Sequence, residues 1–331
     1  MNQRDRVIAA LEHRDPGPLP YDFGCAEELA ARIAAEGVTL PGREGLCVRC
    51  AEYHGQCGWV KPGYWRDGWG VVWNRTGADR DIGVIDNPIL SEPDMSLLKV
   101  SEIDISAAND VFAKAAADKG DRFLFAEIGF SLFERAWTLC GMEDLLYYMA
   151  AEPEFVDELM KAITARNLAL MDIAFAHGVD GFHFGDDWGA QQGLIMGPKH
   201  WKRFVAPHAA AMIQKARSNG LYTSLHSCGD LSSLLDDLVE MGLQCYQTFQ
   251  PEIYPPAAFK RRYGGRLAVW GGVSTQRLLP WATPEKVYQT TREIMDTVGR
   301  GGGLIIAPTH TMTPDIPTAN ILAMIRAMQE G

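Results

Sequence analysis

The chain has 331 residues, enough for two ordinary domains or one large α/β barrel, and 47% of them are hydrophobic, ample for a sizeable core. A formal net charge of −11, with no basic stripe, argues against broad binding to nucleic acid or to anionic membranes. No apolar run reaches the ~18 residues of a membrane span, the N-terminal Met1-Asn2-Gln3-Arg4-Asp5-Arg6 lacks the apolar core of a signal peptide, and seven cysteines, an odd number, make no disulfide framework, so a cytoplasmic protein is expected.

The first strand is expected near Leu19 to Phe23, with a less distinct second one after it. Cys47-x2-Cys50-x3-His54-x2-Cys57 has the ingredients of a zinc knuckle, but its loops are shorter than structural zinc sites use. Its setting, Glu44 to Glu52, reads as helical, so these are taken as buried or half-buried cysteines. Residues 57–80, rich in Gly and Trp, read as an inserted hairpin or lid. There Trp59, Trp65, Trp69 and Trp73 crowd together with Tyr64, either as packing on a barrel mouth or as an aromatic wall for a planar ligand. From residue 120 onward apolar β-type runs alternate with helical stretches. Phe123 to Glu127 is a strand, followed by helices through Trp137, from Met142 to Met149 and from Glu154 to His177. Strands then follow at 181–185, 221–226, 245–249, 267–271 and 303–307, with helices at 198–219, 231–241, 255–263, 283–298 and 317–329.

Such alternation implies parallel strands with helical crossovers. A doubly wound sheet usually carries a G-x-G-x-x-G turn after its first strand, and none is present; Gly299 to Gly303 precedes a strand and is no phosphate cradle. The expected fold is therefore a single (β/α)8 barrel spanning residues 1–331, with an N-terminal helical extension and an aromatic lid. A barrel of this size is compatible with a homodimer.

Barrel chemistry sits at the C-terminal ends of strands, and there the polar residues gather. Asp22, Glu127, Asp186 and Asp187, His226 and Cys228, Gln250 and Glu252, and His310 each follow a strand. In Leu225-His226-Ser227-Cys228-Gly229-Asp230, side chains two apart share a face if the strand persists. With His310 arriving from Ile306-Ala307-Pro308-Thr309-His310, the set suits zinc with an open fourth position; two buried histidines and an inert cysteine are the alternative. Trp188, directly after Asp187, is expected to touch a ligand, whereas His183, between two phenylalanines, reads as a core histidine.

Several stretches together resemble the uroporphyrinogen decarboxylase superfamily, in particular its corrinoid-linked methyltransferase branch. They are Phe184-Gly185-Asp186-Asp187-Trp188-Gly189, His226-Ser227-Cys228-Gly229-Asp230, Trp270-Gly271-Gly272-Val273-Ser274-Thr275-Gln276, Ala307-Pro308-Thr309-His310 and Pro314-Asp315-Ile316-Pro317-Thr318-Ala319-Asn320-Ile321, with Leu11-Glu12-His13-Arg14-Asp15-Pro16 at the start. Decarboxylases of that family carry an arginine-rich segment where this chain reads Tyr21-Asp22-Phe23-Gly24-Cys25, which argues against a tetrapyrrole polycarboxylate. The methyltransferase branch binds zinc with His-x-Cys and a distant Cys; here His310 stands where that third ligand would be. The resemblance thus implies zinc on His226, Cys228 and His310, with Glu127 or Asp187 as fourth ligand or general acid. Asp22, Trp69, Trp188 and Gln250 would hold a small, methoxylated aromatic methyl donor, and the methyl group would pass to Co(I) of a corrinoid on a partner protein. A methylcobamide:thiol methyltransferase, a metal-free decarboxylase using Asp22 or Asp187, and a non-catalytic corrinoid-protein binding module are the rivals.

Overall fold

A computed structural model describes residues 1–77, 82–99 and 102–331; the end of the expected lid, 78–80, lies outside the described residues. Seven strands form one parallel sheet in sequential order: β1 (Val48–Glu52), β2 (Phe123–Ile128), β3 (Gly181–Gly185), β4 (Tyr222–His226), β5 (Cys245–Phe249), β6 (Ala268–Val273) and β7 (Leu304–Pro308). Helices separate β2 to β7 pairwise, as parallel crossovers require. The gap between β7 and β1 is closed by residues 20–22: Ile306 N donates to Pro20 O (3.0 Å), Asp22 N to Ile306 O (3.1 Å) and Cys47 N to Tyr21 O (3.1 Å). The expected first strand near Leu19 to Phe23 is thus a single bridge at Tyr21 that completes the barrel.

The less distinct strand is β1, and it corrects the helical reading of Glu44 to Glu52. Only Arg43–Gly45 makes a helical turn there. β1 pairs with β2 from Val48↔Phe123 to Glu52↔Glu127, so the neighbouring strand decides the conformation of this mixed polar segment.

Alternation along the strands sorts side chains into two cores. Phe123 and Phe125, Cys245, Trp270, Ile305 and Ala307 point into the barrel, while Leu124, Tyr246, Val269, Leu304 and Ile306 pack under the outer helices. The helix Gln3–Leu11, capped by the Asn2 side chain, closes the barrel floor with Val7 and Leu11. Arg4 N bonds to Asp121 O just before β2, and Gly303 N bonds to Ala10 O just before β7. The helix thus covers the barrel floor, and the C-terminal strand ends face the lid side.

Above them lies the lid, an antiparallel sheet of Gly58–Lys61, Tyr64–Arg66, Val72–Asn74 and Val84–Ile85. Asp67 anchors its turn, accepting from Trp69 N (2.9 Å), Val71 N (3.0 Å), Trp73 Nε1 (3.3 Å) and Arg135 Nη1 (2.7 Å). Trp69 and Trp73 are buried against the barrel; Trp59 stands 60% exposed on the outer face. No described helix is long and apolar enough to cross a membrane.

Candidate active site

β4 ends at His226, but Ser227 N still bonds Gln247 O (2.6 Å), which carries the extended backbone one residue further. Cys228 therefore turns to the same side, its Sγ 3.8 Å from His226 Nε2. His310 arrives two residues past β7, its ring centroid 5.6 Å from that of His226. The ligand atoms of the three residues all lie within 4.8 Å of one another, and among the described residues no other group of three His, Cys, Asp or Glu converges so. Two imidazoles and a thiol are a zinc donor set, and three of them leave one position open.

The surroundings orient this set. His226 Nδ1 meets Gln247 Oε1 across the β4–β5 pair, where the two residues are in register. An amide oxygen only accepts, so Nδ1 carries the proton and Nε2 offers its lone pair toward Cys228. Asp187 Oδ1 accepts from Cys228 N (2.8 Å) and stands 3.7 Å from His226 Nε2. Burial, then the Asp187 charge, pushes the Cys228 thiol up to about 12. A thiolate there therefore needs a cation beside it, which fits a metal site. The turn is tight: Gln250 Oε1 accepts from Gly229 N (2.9 Å), and a Cβ on Gly189 would stand only 2.7 Å from Cys228 O.

His226 and His310 border a cavity of about 530 Å³ beneath the lid, a size suited to a compact ligand. Trp69, Trp73 and Phe130 supply aromatic wall, and Glu127, Glu134 and Asp187 supply carboxylates. Burial, reinforced by the Glu52 charge, raises Glu127 to about 7. Burial, with the charges of Asp186 and Asp187, raises Glu134 well above its ordinary value. Glu127 thus presents to the cavity a carboxyl poised near neutral pH, a condition for general-acid work. On the other side of the metal group Cys228, Gln250 and His310 border a second cavity of about 230 Å³ lined by threonines.

Of the residues expected to bind substrate, Trp69 lines the main cavity and Gln250 lines the second one. Two expectations need correction. Trp188 is 1% exposed; its indole N–H donates to Asp186 and its ring packs on Trp201 at 5.5 Å, because side chains beside the alternating inward positions turn under the helices. Asp22 sits level with Ile306, two residues short of the end of β7, beside Cys50 rather than at the cavity wall, and burial raises it to about 7. Asp186 is also structural: it accepts from Leu132 N, Phe133 N and Glu134 N, capping the helix Phe133–Cys140. His183 is a core histidine as expected, bonded to Ser224 Oγ (3.0 Å) and held near 3 by burial. The Cys47–Cys57 knuckle does not form: Cys47 and Cys50 lie in the barrel core, and Cys57 is exposed. Gln247, Glu134, Arg135 and Arg166 escape sequence reading. Only Gln247 has a signal, a polar residue at an inward position of an otherwise buried strand.

A parallel barrel with its floor covered by a helix and a His-Cys-His group at an open, lidded mouth defines an enzyme-like α/β barrel with a candidate metal site. The chain belongs to the uroporphyrinogen decarboxylase (URO-D) family, whose model matches residues 77–331. It is 27% identical over 202 residues to the methylated-thiol–coenzyme M methyltransferase of Methanosarcina mazei, covering 60% of this chain and 51% of that one. It is 25% identical over 185 residues to the uroporphyrinogen decarboxylase of Methylococcus capsulatus, covering 55% and 50%. The chain spans about half the length of these curated relatives in those matches. Among solved structures, a methyltransferase from Methanosarcina mazei superposes with a TM-score of 0.75 at 16% identity, covering 100% of this chain and 99% of that one, which shows the shared TIM-barrel fold.

Proposed function

We propose that this chain is a zinc-dependent methyltransferase that removes a methyl group from a small methoxylated aromatic compound. The observation that carries the proposal is the convergence of His226, Cys228 and His310 on one point at the wall of an aromatic cavity. His226, Cys228 and His310 would hold the metal, and Asp187, whose Oδ1 lies beside Cys228 N and His226 Nε2, would serve as fourth ligand or orienting group. Those residues would hold a zinc ion, which would supply Lewis-acid chemistry at the cavity wall. Glu127, poised near 7, can deliver the proton that the departing aryl oxygen requires. Trp69 and Phe130 would fix the ring, and the lid would keep water from the departing group. The acceptor would be a Co(I) corrinoid carried by a partner protein, which would take the methyl group as a cation equivalent while the aryl oxygen keeps the bonding pair and takes the proton from Glu127.

A second reading, methyl transfer to or from a thiol, is favoured by one observation, the likeness to a methylated-thiol–coenzyme M methyltransferase. The first test is metal analysis of wild type beside Cys228→Ala and His310→Ala. About one zinc per chain, lost in both variants, together with methylation of cob(I)alamin by methoxybenzenes, supports the proposal. A well-folded, never-chelated protein without stoichiometric zinc would overturn it. Transfer to thiols but not from methoxybenzenes would establish the second reading.

A further inference from the structure

The second cavity, about 230 Å³, is chemically unlike the first. Beyond Cys228 and His310 it is walled by five threonines and two glutamines, with no carboxylate, ammonium or guanidinium. The main cavity is bordered by carboxylates and guanidiniums, and by Trp65, Trp69 and Trp73 of the lid. No lid residue borders the second, whose rim is formed by the exposed Gln276, Thr311 and Thr313 beyond β6 and β7. Cys228 and His310 border this cavity as His226 and His310 border the main one. The candidate metal group thus stands between two chambers, one lidded and one open.

Gln250 is 5% exposed, and its Oε1 accepts from Gly229 N (2.9 Å), which fixes the other edge of the amide as Nε2. Among the described residues Nε2 has no hydrogen-bond partner, yet it keeps solvent access. In a side chain so deeply buried, that access comes from the cavity it borders. Between the ends of β6 and β7, Thr275 N donates to Thr309 Oγ1 (3.1 Å) and the two hydroxyls lie 3.0 Å apart. One hydroxyl donates to the other, which leaves the second hydroxyl proton for a ligand. Donors and acceptors side by side in an uncharged wall match a primary carboxamide, which offers both. They reject a carboxylate or an ammonium, whose charge would stay unpaired there.

We infer that the second cavity is a separate docking site for an uncharged carboxamide, held by Gln250 and the Thr275–Thr309 pair, and that the methyl acceptor reaches the metal group from this unlidded side. This rests on the reading of a corrinoid acceptor. A corrin ring bears several carboxamide arms on its rim and is itself too wide for about 230 Å³, so an arm enters while the ring stays outside. The methyl donor beneath the lid and the acceptor at the open side then meet at one metal group without sharing an entrance.

Binding tests it without turnover. Dicyanocobinamide, which keeps the amide arms, and cobyrinic acid, which carries carboxylates in their place, are titrated into the full chain, with zinc and after chelation, by tryptophan quenching. High salt screens the net charge of −11. Cobinamide should saturate the protein with a Kd roughly 10-fold or more below that of the acid, in chelated protein as well. Gln250→Glu keeps an acceptor for Gly229 N but loses the Nε2 donor and places a charge in the wall, and Gln276→Trp plugs the rim. Each should raise the cobinamide Kd roughly 10-fold or more while zinc content stays unchanged. Equal affinity for cobinamide and the acid, no saturable cobinamide binding, or a cobinamide Kd unchanged in either variant would overturn the inference. Propionamide titrated alone separates the sources of the amide: saturation by it without cobinamide binding would assign the cavity to a small free amide and overturn the docking of a corrinoid. Cobinamide binding that responds to both variants, with no methylation of cob(I)alamin by methoxybenzenes, would instead count against the methyl-transfer reading alone.

Discussion

Gln247→Leu tests how His226 is held ready for a metal. Gln247 Oε1 accepts from His226 Nδ1, which leaves Nε2 facing Cys228 Sγ at 3.8 Å and Asp187 Oδ1 at 3.7 Å. Leucine fills similar space but accepts no hydrogen bond. The imidazole can then turn or place its proton on Nε2, and either change withdraws a donor from the metal. Removing such a partner of a metal-ligating histidine typically costs 10–100-fold in metal affinity, or about 1.4–2.7 kcal/mol. Competition with a chromophoric chelator at fixed pH reads the zinc Kd directly, and thermal unfolding of the metal-free protein controls for general damage. Gln247→Glu, which keeps an acceptor, should bind zinc at least as tightly as wild type. An unchanged zinc Kd in a folded Gln247→Leu protein would refute the role assigned to this residue.

Asp186→Ala should remove about 2–4 kcal/mol of stability in denaturant titration, because three backbone N–H groups and the Trp188 indole lose their acceptor; a change under 0.5 kcal/mol would deny the cap any weight. Glu127 titrates near 7 in the folded chain against 4.5 ordinarily, so the folded form holds that proton more tightly than the unfolded one, and its contribution declines as pH rises from about 4.5 through 7. His183, pushed down to about 3, acts in the opposite sense, costing stability as pH falls below 6.5, so the difference between variants is the measure to take. Glu127→Gln should gain in Tm over wild type between pH 5 and pH 8; a constant difference would show that Glu127 does not titrate there. Asp67→Ala should free the lid, with proteolysis between residues 58 and 85 rising roughly 100-fold for a loss of about 2.7 kcal/mol of docking; unchanged cleavage would place the anchor elsewhere.

The alternating strands and helices after residue 120 are legible in the sequence because buried parallel strands are short apolar runs and a glycine such as Gly220 stops the helix before it. The His226 and Cys228 pair is legible for the same local reason, since a period of two is a property of one strand. β1 is not: Arg49, Cys50 and Glu52 break its apolar pattern, and only its pairing with β2 makes it a strand. Trp188 and Gln247 show what local reading misses. Trp188 follows a cavity aspartate in the chain yet turns into the outer core, while Gln247 reaches His226 because β4 and β5 are in register. Arg135 and Arg166 lie 31 positions apart, on different helices, and face one cavity only because the barrel curls and the lid folds over it. Element type follows from neighbours along the chain; the composition of the site follows from register and closure, which exist only once distant segments have packed.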